Sequence, residues 1–238
     1  MDGRAEHRHS VGASMTDDFV TPGEGTLQQR VYDRLREDII SGRVQPGAAV
    51  TIRGLAGDLG VSAMPVREAL RRLVAERALV LLDNRRVRVP AMDAARFEDL
   101  LSARMAIEGE AAERALKYID RDRLACLGAL DDQLDAARAM GEVETWITAN
   151  FAFHRTLYEA RPGSVFMPLI ESLWLQLGPF MRTALETLDH RYVVDRHDEA
   201  LKAIRLNDAK ALRRAIENDI YEGIGHVAML PGGPAVDA

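Results

Sequence analysis

A single cysteine, Cys126, stands in the 238 residues, so no disulfide can form within the chain and a small disulfide-stapled fold is excluded. Aromatic residues make up only 5%, which leaves core formation to aliphatic side chains and favours helical packing. No apolar run is long enough for a membrane helix or a signal peptide. A reducing, cytoplasmic setting with no membrane partner is therefore the expectation. Lysine is missing altogether between Thr26 and Pro90. Beyond Met92 there is no alternating polar–apolar pattern and no low-complexity tract, which excludes an extended β domain there.

What is present divides the chain by charge. Between Thr26 and Pro90 twelve arginines stand against seven acidic residues, a net +5; the whole chain carries −6, so the remainder carries −11. An all-arginine set suits bidentate contacts to phosphate and to guanine edges. The change of sign implies one unit for nucleic acid and another for a different task. We therefore expect a disordered tail over residues 1–25, where Gly and Pro lie among charges, a basic unit over 26–90, a helical unit over 91–230 and a second tail over 231–238.

The segment from Val61 to Arg72, VSAMPVREALRR, combines a cap, a polar arginine face and an apolar face. Ser62 can cap the first turn, and Val66, Ala69, Leu70, Leu73 and Val74 follow at the spacing of a buried stripe. Arg67 and Arg71 lie off that stripe. Upstream, Thr51 to Gly60 reads as a shorter helix ending at a glycine suited to a left-handed cap. A support helix precedes it, marked by Leu27, Val31, Leu35 and Ile39 and closed by Ser41-Gly42 and the Pro46-Gly47 turn. Two short apolar runs follow, Leu79 to Leu82 and Val87 to Val89, joined by Asp83, Asn84, Arg85 and Arg86 as a hairpin with a basic tip. Three helices and a basic hairpin make a winged helix-turn-helix, whose third helix enters the major groove of double-stranded DNA.

From Met92 to about Met229 the periodicity is helical throughout. Asp93 and Asp120 can each cap a long helix, and a third spans roughly Val143 to Glu159. The stretch from Phe166 to Leu188 contains Pro168 and Pro179, the latter expected to kink or divide it. Two more helices end near Arg205 and Met229. The fold class is thus mainly α: a winged helix-turn-helix joined to a six- or seven-helix bundle able to enclose a cavity.

Within the bundle, His154 falls one turn after Asn150 on one helical face, and His197 and Asp219 lie on later helices. Together they offer two imidazole nitrogens and two oxygens, a mixture acceptable to zinc, manganese, nickel or iron(II). His190 and His226, each two turns from a member of that set, read as structural or exposed.

The stretches LREDIISGRVQPG and LAGDLGVSAMPVREALRRL resemble the DNA-binding domain of GntR-type bacterial transcription regulators across Arg30 to Val89. That resemblance implies a DNA face formed by Arg53, Ser62, Met64, Pro65 and Arg67, with the wing tip at Asp83 to Arg85. Two positions depart from the pattern. Ala63 stands where the family usually has arginine, and Ala78 where it has glycine, a strain of roughly 1 kcal/mol if Ala78 is left-handed. From Arg96 to about His226 the chain is similar to the all-helical FCD effector domain of the FadR subfamily, through ARMAIEGEAAERA, NFAFHRTLYEA and HDEALKAIRLNDAKALRRAIENDI.

That second resemblance implies a divalent ion held by Asn150, His154 and His197, with Asp219 where histidine would be usual. It also implies an organic acid completing the ion's shell and meeting Arg104, although an i,i+4 ion pair with Glu108 is an equally good reading of that arginine. The expected function is a transcription regulator that binds a near-palindromic operator as a homodimer, its repression relieved by a small carboxylate. Two alternatives stay open. The helical unit can serve dimerisation alone, or an ion with an open position beside a cavity can activate water in a metal-dependent enzyme.

Overall fold

The computed structural model describes residues 25–47, 49–82, 86–187 and 196–224. Both tails, apart from Gly25, lie outside the described residues, as do the wing-tip residues 83–85, Leu188, His190, His226 and Met229.

The first helix, α1 (Leu27–Ile40), starts at Thr26, whose side chain accepts from the Gln29 amide, and buries Val31, Leu35 and Ile39. Strand β1 (Ala49–Val50) leads into α2 (Ile52–Asp58), capped by Thr51 through the Gly54 amide. Gly60 is left-handed at φ 63, as the turn between the two helices requires. Next comes α3 (Ala63–Ala75), which buries Val66, Ala69, Leu70 and Leu73. Strands β2 (Val80–Leu81) and β3 (Val87–Arg88) form the hairpin, closed by the Leu82 amide donating to the Arg86 carbonyl. The sheet has three antiparallel strands in the order β1-β3-β2, so β1 covers an edge of the wing. Two residues long and half-exposed, β1 gives too short a pattern to be read from sequence.

The backbone strain expected at Ala78 falls elsewhere. Arg77 takes the left-handed conformation at φ 61, and Ala78 is fully buried behind it. Here the side chain that must tolerate a positive φ stays in solvent, and the small one packs.

The helical unit consists of α4 (Ala94–Ala115), a 3₁₀ turn (Leu116–Tyr118), α5 (Arg121–Met140), α6 (Val143–Tyr158), α7 (Phe166–Thr187), α8 (His197–Arg205) and α9 (Ala209–Ile224). Asp93 and Asp120 cap α4 and α5 as expected, accepting from the Arg96 and Arg123 amides. Of the two outcomes expected at Pro179, division does not occur, because α7 runs through it. The lost amide is a local cost, offset by the burial of Trp174, Leu175, Leu177 and Phe180 around it. Pro168 sits in the first turn of α7, where no amide partner is needed.

α4 packs along α9, α5 along α6, and α8 on α9, while α7 lies against both α4 and α6 and, on another side, against α1. Among the described residues no helix is long and apolar enough to cross a membrane. The contact of α7 with α1 is close because Gly178 has no side chain. A Cβ there would meet the Ile40 carbonyl oxygen at 2.5 Å and its Cα at 2.6 Å.

Candidate metal centre and nucleic-acid face

On the amino-terminal unit, Arg53, Ser62, Arg67 and Arg71 are exposed, and Met64 retains 61% of its surface. Ser62 occupies the N-cap position of α3 in extended conformation, but its hydroxyl makes no side-chain cap bond. The first-turn amides of α3 therefore keep their capacity for an acceptor from outside. Arg71 lies 3.4 Å from Glu68 with both side chains open to solvent, a pair worth little. Pro65 is different from the rest of the set. It is buried, and as a first-turn residue it shapes the start of α3 from inside. Asn84 and Arg85 lie outside the described residues.

The adjacent Arg72 has another role. Its guanidinium sits 3.6 Å over the Tyr32 ring and donates to Gln29 at 2.9 Å, bracing α3 on α1. Tyr32 in turn donates to both carboxylate oxygens of Glu76 at 2.8 Å. Burial, then the Glu76 hydrogen bond and charge, push the Tyr32 hydroxyl up to about 12, so it remains a donor.

In the helical unit, α6, α8 and α9 bring His154, His197 and Asp219 together, with one ligand atom of each within 4.8 Å of the others. All three are buried, at 1%, 0% and 6% exposure. His154 Nε2 lies 3.0 Å from Asp219 Oδ2, and His197 Nε2 lies 3.8 Å from Asp219 Oδ1. Asn150 is half-buried one turn before His154 on α6.

The hydrogen bonds behind these atoms determine where the ring protons sit. Tyr158 donates to Glu108 Oε2 at 3.0 Å, and His154 Nδ1 lies 3.0 Å from the Tyr158 oxygen. Since the single phenol proton is committed to Glu108, the Tyr158 oxygen must accept, and His154 carries its proton on Nδ1. His197 Nδ1 lies 3.1 Å from Asp131 Oδ1, an acceptor, which places that ring's proton on Nδ1 too. Both Nε2 lone pairs then face the Asp219 carboxylate, itself an acceptor. His154 Nε2 accordingly makes no hydrogen bond although it is buried.

With both rings neutral, the three buried carboxylates Glu108, Asp131 and Asp219 outnumber the one buried guanidinium, Arg104, by two negative charges, which a divalent ion would neutralise. The Arg196 amide donates to Asp219 Oδ1 at 2.9 Å, a fixed partner for one oxygen of that carboxylate. The donor set fits a borderline or hard divalent ion.

Arg104 forms the ion pair with Glu108, Nε to Oε1 at 2.6 Å and Nη2 to Oε2 at 3.3 Å. Burial opposes its charge, and Glu108 outweighs that, raising Arg104 further. Trp174 adds a third donor to Glu108 at 3.1 Å. A chain of contacts thus runs from Arg104 through Glu108 and Tyr158 to His154. Sequence reasoning missed Tyr158, Trp174 and Asp131. Two signals were there: Tyr158 falls one turn after His154, and Asp131 interrupts the buried stripe of Leu127 and Leu134 with a carboxylate.

A three-helix DNA-reading head with a wing and exposed arginines, carried on a helical bundle that converges metal-ligating side chains, defines a DNA-binding transcription regulator. The chain belongs to the gntR family of bacterial regulatory proteins: the model of that family matches residues 27–89, and that of the FCD domain matches residues 99–221. It is similar to the HTH-type transcriptional regulator McbR of Escherichia coli (strain K12), 26% identical over 211 residues, covering 85% of this chain and 96% of McbR. The solved structure of E. coli McbR/YncC matches with a TM-score of 0.80 over 84% of this chain and 96% of that one, at 26% identity. A GntR regulator from Rhodococcus sp. RHA1 matches with a TM-score of 0.66 at 25% identity over 83% of this chain and 97% of that one. The gluconate operon transcriptional repressor of Bacillus subtilis (strain 168) is 22% identical, covering 80% of each chain. With transcription regulators as its relatives, the protein is a regulator and not an enzyme.

Proposed function

We propose that the protein is a metal-dependent repressor that binds a near-palindromic operator as a homodimer and releases it when a small organic acid occupies the helical unit. The observation that carries this reading is the convergence of two imidazole nitrogens with the Asp219 carboxylate, each ring's Nδ1 engaged by a polar partner on the far side. His154, His197 and Asp219 would hold the ion, with Asn150 able to add a carbonyl oxygen. A bound ion supplies positive charge that an effector carboxylate can meet. Arg104 supports the same charge from behind, although Glu108 already occupies two of its donors. A relative named for gluconate, itself a carboxylate, supports that effector class.

For DNA, Arg53, Ser62, Met64, Arg67 and Arg71 form the face, with Pro65 shaping it and Asn84 and Arg85 at the wing. The test is a thermal-shift screen of metabolite acids with and without Mn²⁺, Ni²⁺ or Zn²⁺, followed by operator binding at matched salt. A stabilising acid that weakens operator binding only when the ion is present is expected. Indifference of both stability and operator affinity to every ion and acid would instead leave the helical unit a dimerisation module.

A further inference from the structure

We infer that Asp131 is a positioning residue for the ion site: it fixes the proton of His197 on Nδ1 and so aims the Nε2 lone pair at Asp219. The inference rests on the metal-site reading above and goes beyond it in naming what sets the state of a ligand.

A neutral imidazole carries one proton, and the partner of either nitrogen decides where it resides. Asp131 is buried at 9% exposure on α5, a helix that contributes none of the three converging side chains. A carboxylate in a leucine stripe is costly unless a donor meets it, and His197 Nδ1 at 3.1 Å is such a donor. The ring is also held in orientation. It stacks on Phe153 with centroids 3.9 Å apart and planes at 14°, and meets His154 edge-on at 5.2 Å and 74°. Orientation alone leaves both tautomers possible, and the carboxylate removes one of them.

The two histidines are secured differently. Tyr158 can donate as well as accept and serves as acceptor only because Glu108 takes its proton. A carboxylate has no amide or hydroxyl proton to offer, so Asp131 needs no further residue to make it the acceptor for His197 Nδ1.

Asp131→Asn makes this testable, because an amide can donate. If Asn donates to Nδ1, the ring proton moves to Nε2 and faces Asp219, blocking the ligand atom. In the metal-free full-length protein, ¹⁵N NMR of the histidine rings should show His197 as the Nδ1–H tautomer, and that preference should be lost in D131N. Mn²⁺ and Zn²⁺ affinity measured by calorimetry should fall roughly 10- to 100-fold, with the far-UV circular dichroism unchanged. A parent protein with the proton on Nε2, or a folded D131N that binds both ions within threefold of the parent, overturns the inference. Should D131N not fold, Asp131→Glu keeps an acceptor and is expected to retain the Nδ1–H tautomer; its loss there counts against the role equally. Failure of the underlying site looks different. Parent and H154A would then both bind no ion, while the tautomer of the metal-free parent still decides for or against Asp131.

Discussion

Arg36 Nη2 lies 2.6 Å from Glu171 Oε1, the same oxygen that Arg155 Nη1 reaches at 2.8 Å. One carboxylate on α7 therefore joins α1 of the DNA-reading unit to α6 of the bundle, at the residue that follows His154. A second link lies nearby, where the Ser172 hydroxyl donates to the Glu76 carbonyl at 3.4 Å, at the carboxyl end of α3. A change at the proposed ion site that shifted α6 would reach the DNA-reading unit through α7 without a long path. Coupling of this kind needs two arrangements whose balance both sites bias.

Glu171→Gln should loosen this junction while leaving each unit folded. Two arginines would lose their shared counter-charge in a half-buried setting, a cost of about 1–2 kcal/mol. Amide exchange in α1 should accelerate several-fold, with exchange in α9 unchanged. Equal protection of α1 in both proteins would show that the pair carries no docking energy.

Arg67→Ala should reduce operator affinity by about 1–3 kcal/mol if the side chain reads a base, and relax preference at one position of the site. Arg72→Ala should behave oppositely. Its loss removes the brace on Tyr32 and Gln29, so it should lower stability more than it alters sequence preference. Quantitative binding to selected and scrambled duplexes, beside urea unfolding of both variants, separates the two roles.

Why the fold was legible and the site only partly so follows from these residues. Caps at Asp93 and Asp120, the left-handed Gly60 and the Val66–Leu73 stripe are local signals, decided within one or two turns. His154 and Asn150 were visible because they share a helix. Asp131 meets His197, and Glu108, held by Trp174, meets Tyr158, only through packing of α5, α4 and α7, which no spacing in the chain encodes. The burial of Pro65 and the transfer of strain from Ala78 to Arg77 are likewise three-dimensional outcomes.

Glu108→Leu alone should destabilise the protein by about 3–5 kcal/mol, because Arg104 would be left charged and buried without its partner. Adding Arg104→Met should recover part of that loss, since it removes the uncompensated charge while Tyr158 and Trp174 still lack their acceptor. A urea double-mutant cycle checks it: additive losses would mean that the pair is not coupled.

Acid stability should depend on the Arg43–Glu144 contact between the two units. The Arg43 hydrogen bond, reinforced by the Arg43 charge and by Arg182, depresses the Glu144 carboxyl against a smaller opposing effect of burial. A depressed folded value means the contribution is complete above the ordinary glutamate range of about 4.5 and is lost as pH falls through the lowered value. Glu144→Gln should therefore be less stable than the parent at neutral pH and converge with it as pH falls through that lowered value. Thermal midpoints across that window check the convergence, and a constant offset at every pH would contradict it.

Two helical glycines offer a matched pair of opposite sign. Replacing glycine by alanine inside a helix ordinarily gains roughly 0.5–1 kcal/mol, because the unfolded chain has less freedom to lose. At Gly128, on α5, a Cβ meets nothing within 4 Å, so Gly128→Ala should realise that gain. At Gly178, on α7, the Cβ would press on three backbone atoms, the nearest being the Ile40 oxygen at 2.5 Å and the farthest the Ile39 oxygen at 2.9 Å. Backbone cannot rotate away as a side chain can, so α1 and α7 must move apart, and the lost packing should outweigh the gain in helix propensity. Gly178→Ala is thus expected to lower the thermal midpoint and to speed amide exchange in α1, while Gly128→Ala raises the midpoint. A Gly178→Ala protein as stable as the parent, with α1 equally protected, would mean that the two units are not held against each other through this contact.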